Sequence, residues 1–379
     1  MKEDFPMSIY DERLARIKAA IALEPVDKIP MISGAAAVTS QLCGVKMADF
    51  IKDMELNCTV NIKATDMMGN IDGIQTPLSS PYGLPTLWLS RVKAPGVELP
   101  DNELWQVDEA ELVQEEDYDD ILENGFGQWY TRFMKEKLGD PIGKMAETGL
   151  ATYGPTAIKR FEDAGYVVVK DGSLLSPFEM LCGGRSLVTF LTEDLLEIPE
   201  KMDQVFEVIH KFNMEKYTKR FSNPATRPFG VWIGGWRGTP ETLSPKMFER
   251  FSWRYFKDLI QVCLDFGVVP FMHLDACWDL GLHYFRDYMP KGRGVLCLDG
   301  KTDIFKAKEI VGDKICIMGD VPATLLAFAK PQDVYDYTAK LCREIGPTGY
   351  MCCSGCDVPF NAKLENIQMM AKAVDDAAV

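Results

Sequence analysis

From residue 229 to residue 353 the chain repeats one pattern: a short, nearly continuous apolar run followed by a stretch of helical period. The runs are Phe229–Gly234, Val268–His273, Gly294–Leu298, Ile315–Met318 and Gly349–Cys353. Strands apolar on both faces belong to a parallel sheet covered by helices. The intervening helices carry their own punctuation. Ser244 is an N-cap, Pro245 takes the first helical position, and Gly267 stops a helix whose face is Phe248, Phe251, Tyr255, Leu259, Val262 and Phe266. Asp303 caps Ile304–Val311 before Gly312, and Pro331 opens a helix through Val334, Leu341 and Ile345 that ends at Gly346.

The first half is less regular. Tyr10–Leu23 has helical spacing, and Ile29–Ser33, Gly73–Thr76 and Tyr166–Lys170 read as strands. With the five above they make eight, the number that closes an α/β barrel, so the expected fold is a (β/α)₈ TIM-type barrel. Residues 77–130, rich in Pro, Gly and acid, break the rhythm. They are expected to be an insertion forming part of the rim over one end, with a β-hairpin around Val92–Val97. The acidic run Glu115–Asp120 reads as a solvated face. No repeat or low-complexity linker divides the sequence, so residues 1–379 are expected to be a single domain.

The charge balance excludes some partners. With 41 Lys and Arg against 56 Asp and Glu the net charge is −15, which disfavours nucleic acid and anionic membrane surfaces. No apolar run approaches the roughly 18 residues of a membrane helix. Met1–Asp11 is acidic and lacks the apolar core of a signal peptide. Eleven scattered cysteines, an odd number, point to free thiols in a reducing, cytoplasmic setting. Together with 19 methionines they would suit an anaerobe, although buried core residues explain them equally well.

Of three histidines, His210 lies in a long helix pattern, Glu200–Phe221, and His283 follows the fifth strand; both read as structural. His273 closes the fifth strand, at the end of a barrel where catalysis sits. Asp275, two residues on, shares its face in extended backbone. Cys356 follows the eighth strand and reaches the same mouth. Alone, a His-x-Asp is a hydrogen-bonded pair and a lone cysteine a small core residue. Together they make a three-donor zinc site with one position open.

These residues lie in stretches that resemble the uroporphyrinogen decarboxylase superfamily, within it the corrinoid-dependent methyltransferase branch. The stretches are Ser244–Phe248, Gly267–Asp275, Asp303–Lys308, Gly319–Ala323 and Ser354–Pro359, with Ser186–Glu200 resembling the mid-chain helices. The resemblance spans roughly residues 175–375. It implies zinc held by a His-x-Cys and a distant Cys: His273 and Cys356 match, whereas Asp275 stands where the family has cysteine. Asp275 is therefore a proposed substitution, with Cys277 as the replacement if the loop folds back.

The resemblance further implies a methyltransferase that moves methyl from a small methylated substrate to the cobalt of a separate corrinoid protein. It is similar to the component of anaerobic O-demethylases that accepts aryl methyl ethers. A carboxylate in place of a thiolate hardens the metal and favours an oxygen substrate. The alternatives are a methylcobamide:thiol methyltransferase of the coenzyme M type and a porphyrinogen decarboxylase. Against the last, Lys28–Gly44 contains no arginine to cradle an octa-anionic substrate. A non-catalytic barrel that only binds is the reading from another class. Trp232, Trp236 and Trp278 follow the fourth and fifth strands and would line an aromatic substrate site, or merely pack. Asp299 and Asp320 end the sixth and seventh strands and would support His273, act as acid or base, or cap helices. The oligomeric state is left open, a homodimer included.

Overall fold

The computed structural model describes residues 7–378; of the acidic stretch Met1–Asp11, everything before Met7 lies outside them. Eight parallel strands in sequential order form a closed ring. The first, Ile32–Ser33, pairs with the second, Gly73–Ile74, and the second with Val167–Val168. The third strand resumes at Ser173–Leu174, where it pairs with the fourth, Gly230–Gly235. The fifth to eighth are Val269–Leu274, Val295–Leu298, Cys316–Val321 and Tyr350–Ser354, each paired with its neighbour. A parallel bridge from Met31 to Cys352, with Cys352 N–H donating to Pro30 O at 2.9 Å, closes the ring. The expected barrel is thus observed.

The third strand differs from expectation. In place of one run ending at Lys170, the chain changes partner there: Lys170 N–H donates to Gln75 O and Asp171 N–H to Gly230 O. Gly172, at φ +96°, allows the break.

One cluster fills the barrel interior: Ile32, Val167, Val169, Phe271, Val295, Cys297, Cys316, Met318, Met351 and Cys353. The first helix, Ile9–Ile21, adds Ile17, Ala20 and Ile21 to that cluster. Eight of the eleven cysteines are buried and all are free, so most act as small core residues. The helix read from Ser244 to Gly267 forms and stops where expected, with Gly267 left-handed at φ +70°, but contains a wider turn at Glu249–Trp253. The extra residue in that turn shifts the buried face, so Trp253, Phe256 and Ile260 are buried alongside Phe248, Phe251, Tyr255, Leu259 and Val262, while Phe266 is half-buried. His210 bonds Asp258 through Nε2 at 2.9 Å, and His283 is exposed on the helix Leu282–Tyr288; both are structural.

Between the second and third strands the chain makes its excursion. The hairpin pairs Arg91–Lys93 with Gln106–Asp108, so its return strand lies beyond the expected Val97. Beyond it come the helices Glu115–Asn124, Phe126–Lys137, Pro141–Glu147 and Gly154–Asp163, which carry the excursion past residue 130. In the acidic run Glu115, Glu116 and Asp119 are exposed while Tyr118 is buried, as a solvated helix face requires. No helix among the described residues is long and apolar enough to cross a membrane.

Candidate active site

The fifth strand carries His273 inward beside Phe271, and the ladder with the fourth strand runs on to Asp275, whose N–H donates to Gly235 O at 3.1 Å. After Asp275 the chain turns sharply: Ala276 sits at φ +67°, a conformation costing a residue with a Cβ about 1–2 kcal/mol. Several bonds offset that strain. Ala276 N–H donates to Asp299 Oδ2 at 3.2 Å and Thr302 Oγ1 to Ala276 O at 3.1 Å. Trp278 N–H donates to Thr302 Oγ1 at 2.9 Å, and Trp278 Nε1 to Asp275 O at 2.9 Å. On the eighth strand's side, Ser354 Oγ donates to Cys356 O at 2.6 Å and sets the turn that brings the thiol inward.

The outcome is a cluster of His273, Asp275 and Cys356, each offering a donor atom, with all three donors within 4.8 Å of one another. His273 is buried, Asp275 half-buried and Cys356 open to solvent. His273 Nε2 lies 3.2 Å from Asp275 Oδ1, while His273 Nδ1 is buried without a partner. Two donors at ordinary zinc distances in tetrahedral array stand about 3.3 Å apart, so the His–Asp spacing suits a shared ion as well as a direct bond. Cys277 is not in the cluster; its N–H is held by Glu241 Oε2 at 3.0 Å.

The electrostatics also fit a cation. Although Cys356 is open to solvent at the mouth, the surrounding protein lifts its thiol to about 12, helped by the carboxylates of Asp357 and Asp275. Burial likewise raises Asp357 and Asp299. A bound divalent ion would reverse that balance and hold the sulfur as thiolate. Imidazole, carboxylate and thiolate together would neutralise Zn²⁺, so the residues present fit the metal.

The other expected site residues divide. Trp232 faces inward with its ring 5.9 Å from that of His273 and stacked on Trp236 at 5.4 Å. A Cβ on Gly234 would collide with both rings, so that glycine is what lets them lie over the backbone. Trp88, from the rim excursion, meets Trp236 edge-on at 5.8 Å. Trp278 is different: fully buried among Phe248, Phe256 and Phe285, it packs the loop and orients Asp275 rather than facing a substrate. Asp299 holds backbone, accepting also from Lys301 N–H at 2.8 Å. Asp320 is buried and accepts from Tyr337 Oη at 2.8 Å, on the helix Pro331–Glu344; burial pushes it up to about 6. Neither carboxylate bonds His273, so support of that histidine is not their role here. Asp299 holds the loops after the fifth and sixth strands by accepting their backbone N–H groups, as short acids commonly do, whereas Asp320 ties the seventh strand to the helix of Tyr337.

Sequence reasoning missed three groups. Glu179, fully buried, accepts from the backbone N–H groups of Trp236, Arg237 and Gly238 at 3.0–3.3 Å and so fixes the loop carrying Trp236. Lys170 and Gln75 lie under the mouth; a charge closing the apolar run Tyr166–Lys170 was the available signal for the lysine. Nothing local marked Glu179, because its partners lie some 60 residues away.

The family model described as Uroporphyrinogen decarboxylase (URO-D) matches residues 174–377, more than half of the chain. A uroporphyrinogen decarboxylase of Christiangramia forsetii is 25% identical over 154 residues, 40% of this chain and 41% of that protein. The match thus spans about two fifths of that relative's length. A solved structure of a methyltransferase from Methanosarcina mazei has a TM-score of 0.70 over 96% of this chain and 98% of that one, at 16% identity. At that identity the likeness shows the fold.

Proposed function

Starting from the fact that the chain belongs to the uroporphyrinogen decarboxylase family, we propose that it is a zinc-dependent methyltransferase that takes methyl from an aryl methyl ether and passes it to the cobalt of a partner corrinoid protein. The observation that carries this reading is the convergence of His273, Asp275 and Cys356 donors at the mouth of the barrel. Zinc bound there supplies Lewis acidity toward an ether oxygen, and the partner's corrinoid supplies the methyl acceptor.

The chain's own residues do the rest. Trp232 and Trp236 offer a stacked pair of rings on which an aromatic substrate can lie beside His273. Trp278 and Asp299 keep the strained Asp275–Ala276 turn in one geometry. Glu179 holds the Trp236 loop to the barrel wall. Methyl transfer between two bound partners gains chiefly from orientation, which such rigid supports provide.

A carboxylate donor among the three suits oxygen better than a thiol acceptor, whose activation calls for sulfur-rich donors. Porphyrinogen decarboxylation lacks its basic cradle, since Lys28–Gly44 holds no arginine. The test combines the zinc-loaded protein, a reduced corrinoid protein and a panel of aryl methyl ethers, following the Co(I) to methyl-Co(III) spectral change. Methylation of cobalt is expected, and none when the corrinoid protein is omitted, even with coenzyme M or tetrahydrofolate in excess. Demethylation at full rate without a corrinoid protein would refute the proposal.

A further inference from the structure

We infer that Lys170 is a specificity-determining residue that binds an anionic oxygen on the substrate, an inference that rests on the site proposed above. Lys170 is 3% exposed. Its ammonium donates to Gln75 Oε1, and Gln75 is itself held, its Nε2 donating to Cys353 Sγ at 3.2 Å. The pair therefore points into the barrel, where Cys353 and Cys297 line the interior. A Cβ on Gly34 would lie 3.0 Å from Gln75 Nε2 and 3.1 Å from Cys356 O, so the glutamine that holds the ammonium borders the turn carrying the cluster's thiol.

An ammonium has three N–H groups. Gln75 accepts one; the other two have no acceptor, and no carboxylate lies within 4.0 Å of Lys170, among the described residues. Charge buried with donors unspent is costly and is retained where a ligand completes the set. Of the acids at the mouth, Asp275 lies against His273, Asp299 accepts from Ala276 and Lys301 N–H groups, and Asp357 stays more than 4.0 Å from the ammonium. The group that completes Lys170 must then arrive with the substrate and carry an acceptor oxygen of negative charge. With the Trp232–Trp236 pair beside it, the substrate class is an aromatic ring bearing a methoxy group for the cluster and a carboxylate or phenolate for Lys170.

The probes are 4-methoxybenzoate, its neutral methyl ester and a nitro-substituted methoxyphenol that is ionised at the assay pH. Each is titrated into the zinc-loaded protein by following tryptophan fluorescence. At least one anion should bind about tenfold or more tighter than the ester, the usual worth of a charged hydrogen bond, and which anion does so separates carboxylate from phenolate. Lys170→Met should bring the preferred anion down to the ester's affinity and leave the ester unchanged, while Lys170→Arg keeps the preference. Equal affinities in the wild-type protein, failure of all three probes to bind, or a preference that survives Lys170→Met would overturn the inference. The wild-type comparison stands even where a variant does not fold. Anion preference without methyl transfer to cobalt would refute the proposed function and leave Lys170 its role; transfer from neutral and anionic ethers with equal affinity would do the reverse.

Discussion

Replacing Glu179 by glutamine should flatten the pH dependence of the fold's stability. Burial pushes this carboxyl from its ordinary 4.5 up to about 7, against the opposing pull of three backbone N–H donors. An acid with a raised value binds its proton more tightly when folded. Between about pH 4.5 and 7 the folded chain therefore holds more proton than the unfolded one, and stability falls as pH rises through that window. Below it the ionisation cost is absent; above it the cost is complete, at about 3 kcal/mol. About 2 kcal/mol of that lies between pH 5.5 and pH 8. At roughly 2 cal/mol/K of unfolding entropy per residue, a chain of this size should lose about 2–3 °C in Tm over that interval from this group alone. The assay is thermal unfolding of metal-free protein by circular dichroism at both pH values, for wild type and Glu179→Gln. The wild-type Tm should fall by that much more than the variant's. An identical fall in the two proteins, or a larger one in the variant, would show that Glu179 ionises freely and that its three donors, not its burial, dominate.

Metal analysis of protein purified without chelator should find about one zinc per chain, and His273→Ala and Cys356→Ala should each lose most of it with unchanged circular dichroism, since neither side chain belongs to the interior cluster. Full occupancy in both variants would end the zinc reading. Asp275→Ala should release metal while Asp275→Cys retains it, as zinc retention in dialysis would tell; normal binding by Asp275→Ala would make another residue the third donor. Trp278→Phe keeps the packing but leaves Asp275 O without its donor, so zinc affinity should drop about tenfold to a hundredfold, the usual effect of a lost supporting contact, with little change in Tm. Trp278→Ala should instead cost about 3–5 kcal/mol of stability in chemical denaturation, because the ring fills the space among Phe248, Phe256 and Phe285.

The second half of the barrel was legible residue by residue. Its strands are buried on both faces and so read as unbroken apolar runs, and its helices open at Ser244, Asp303 and Pro331 as local capping chemistry dictates. The first half was harder for a physical reason: its first two strands have only two paired residues each, and the rim excursion between the second and third outweighs them in length. The hairpin was recognised but its return strand was not, since pairing of Arg91 with Asp108 depends on a turn region whose length the local sequence does not announce.

Sequence alone determined which residue types stand at the strand ends, and the period-2 rule puts His273 and Asp275 on one side of the fifth strand. It also determined the closed eight-strand ring, because alternation of buried strands with amphipathic helices leaves few other ways to cover both faces. Only the tertiary structure decided which of those strand-end groups meet. Cys356 joins His273 because the ring closes at the Met31–Cys352 bridge and brings the eighth strand round to complete it. Trp278 and Trp232 look alike in sequence, yet the strained turn at Ala276 sends one ring into the core while the fourth strand keeps the other beside His273. Lys170, Gln75 and Glu179 acquire their meaning from partners distant in the chain, and distance along the chain is what local pattern cannot read.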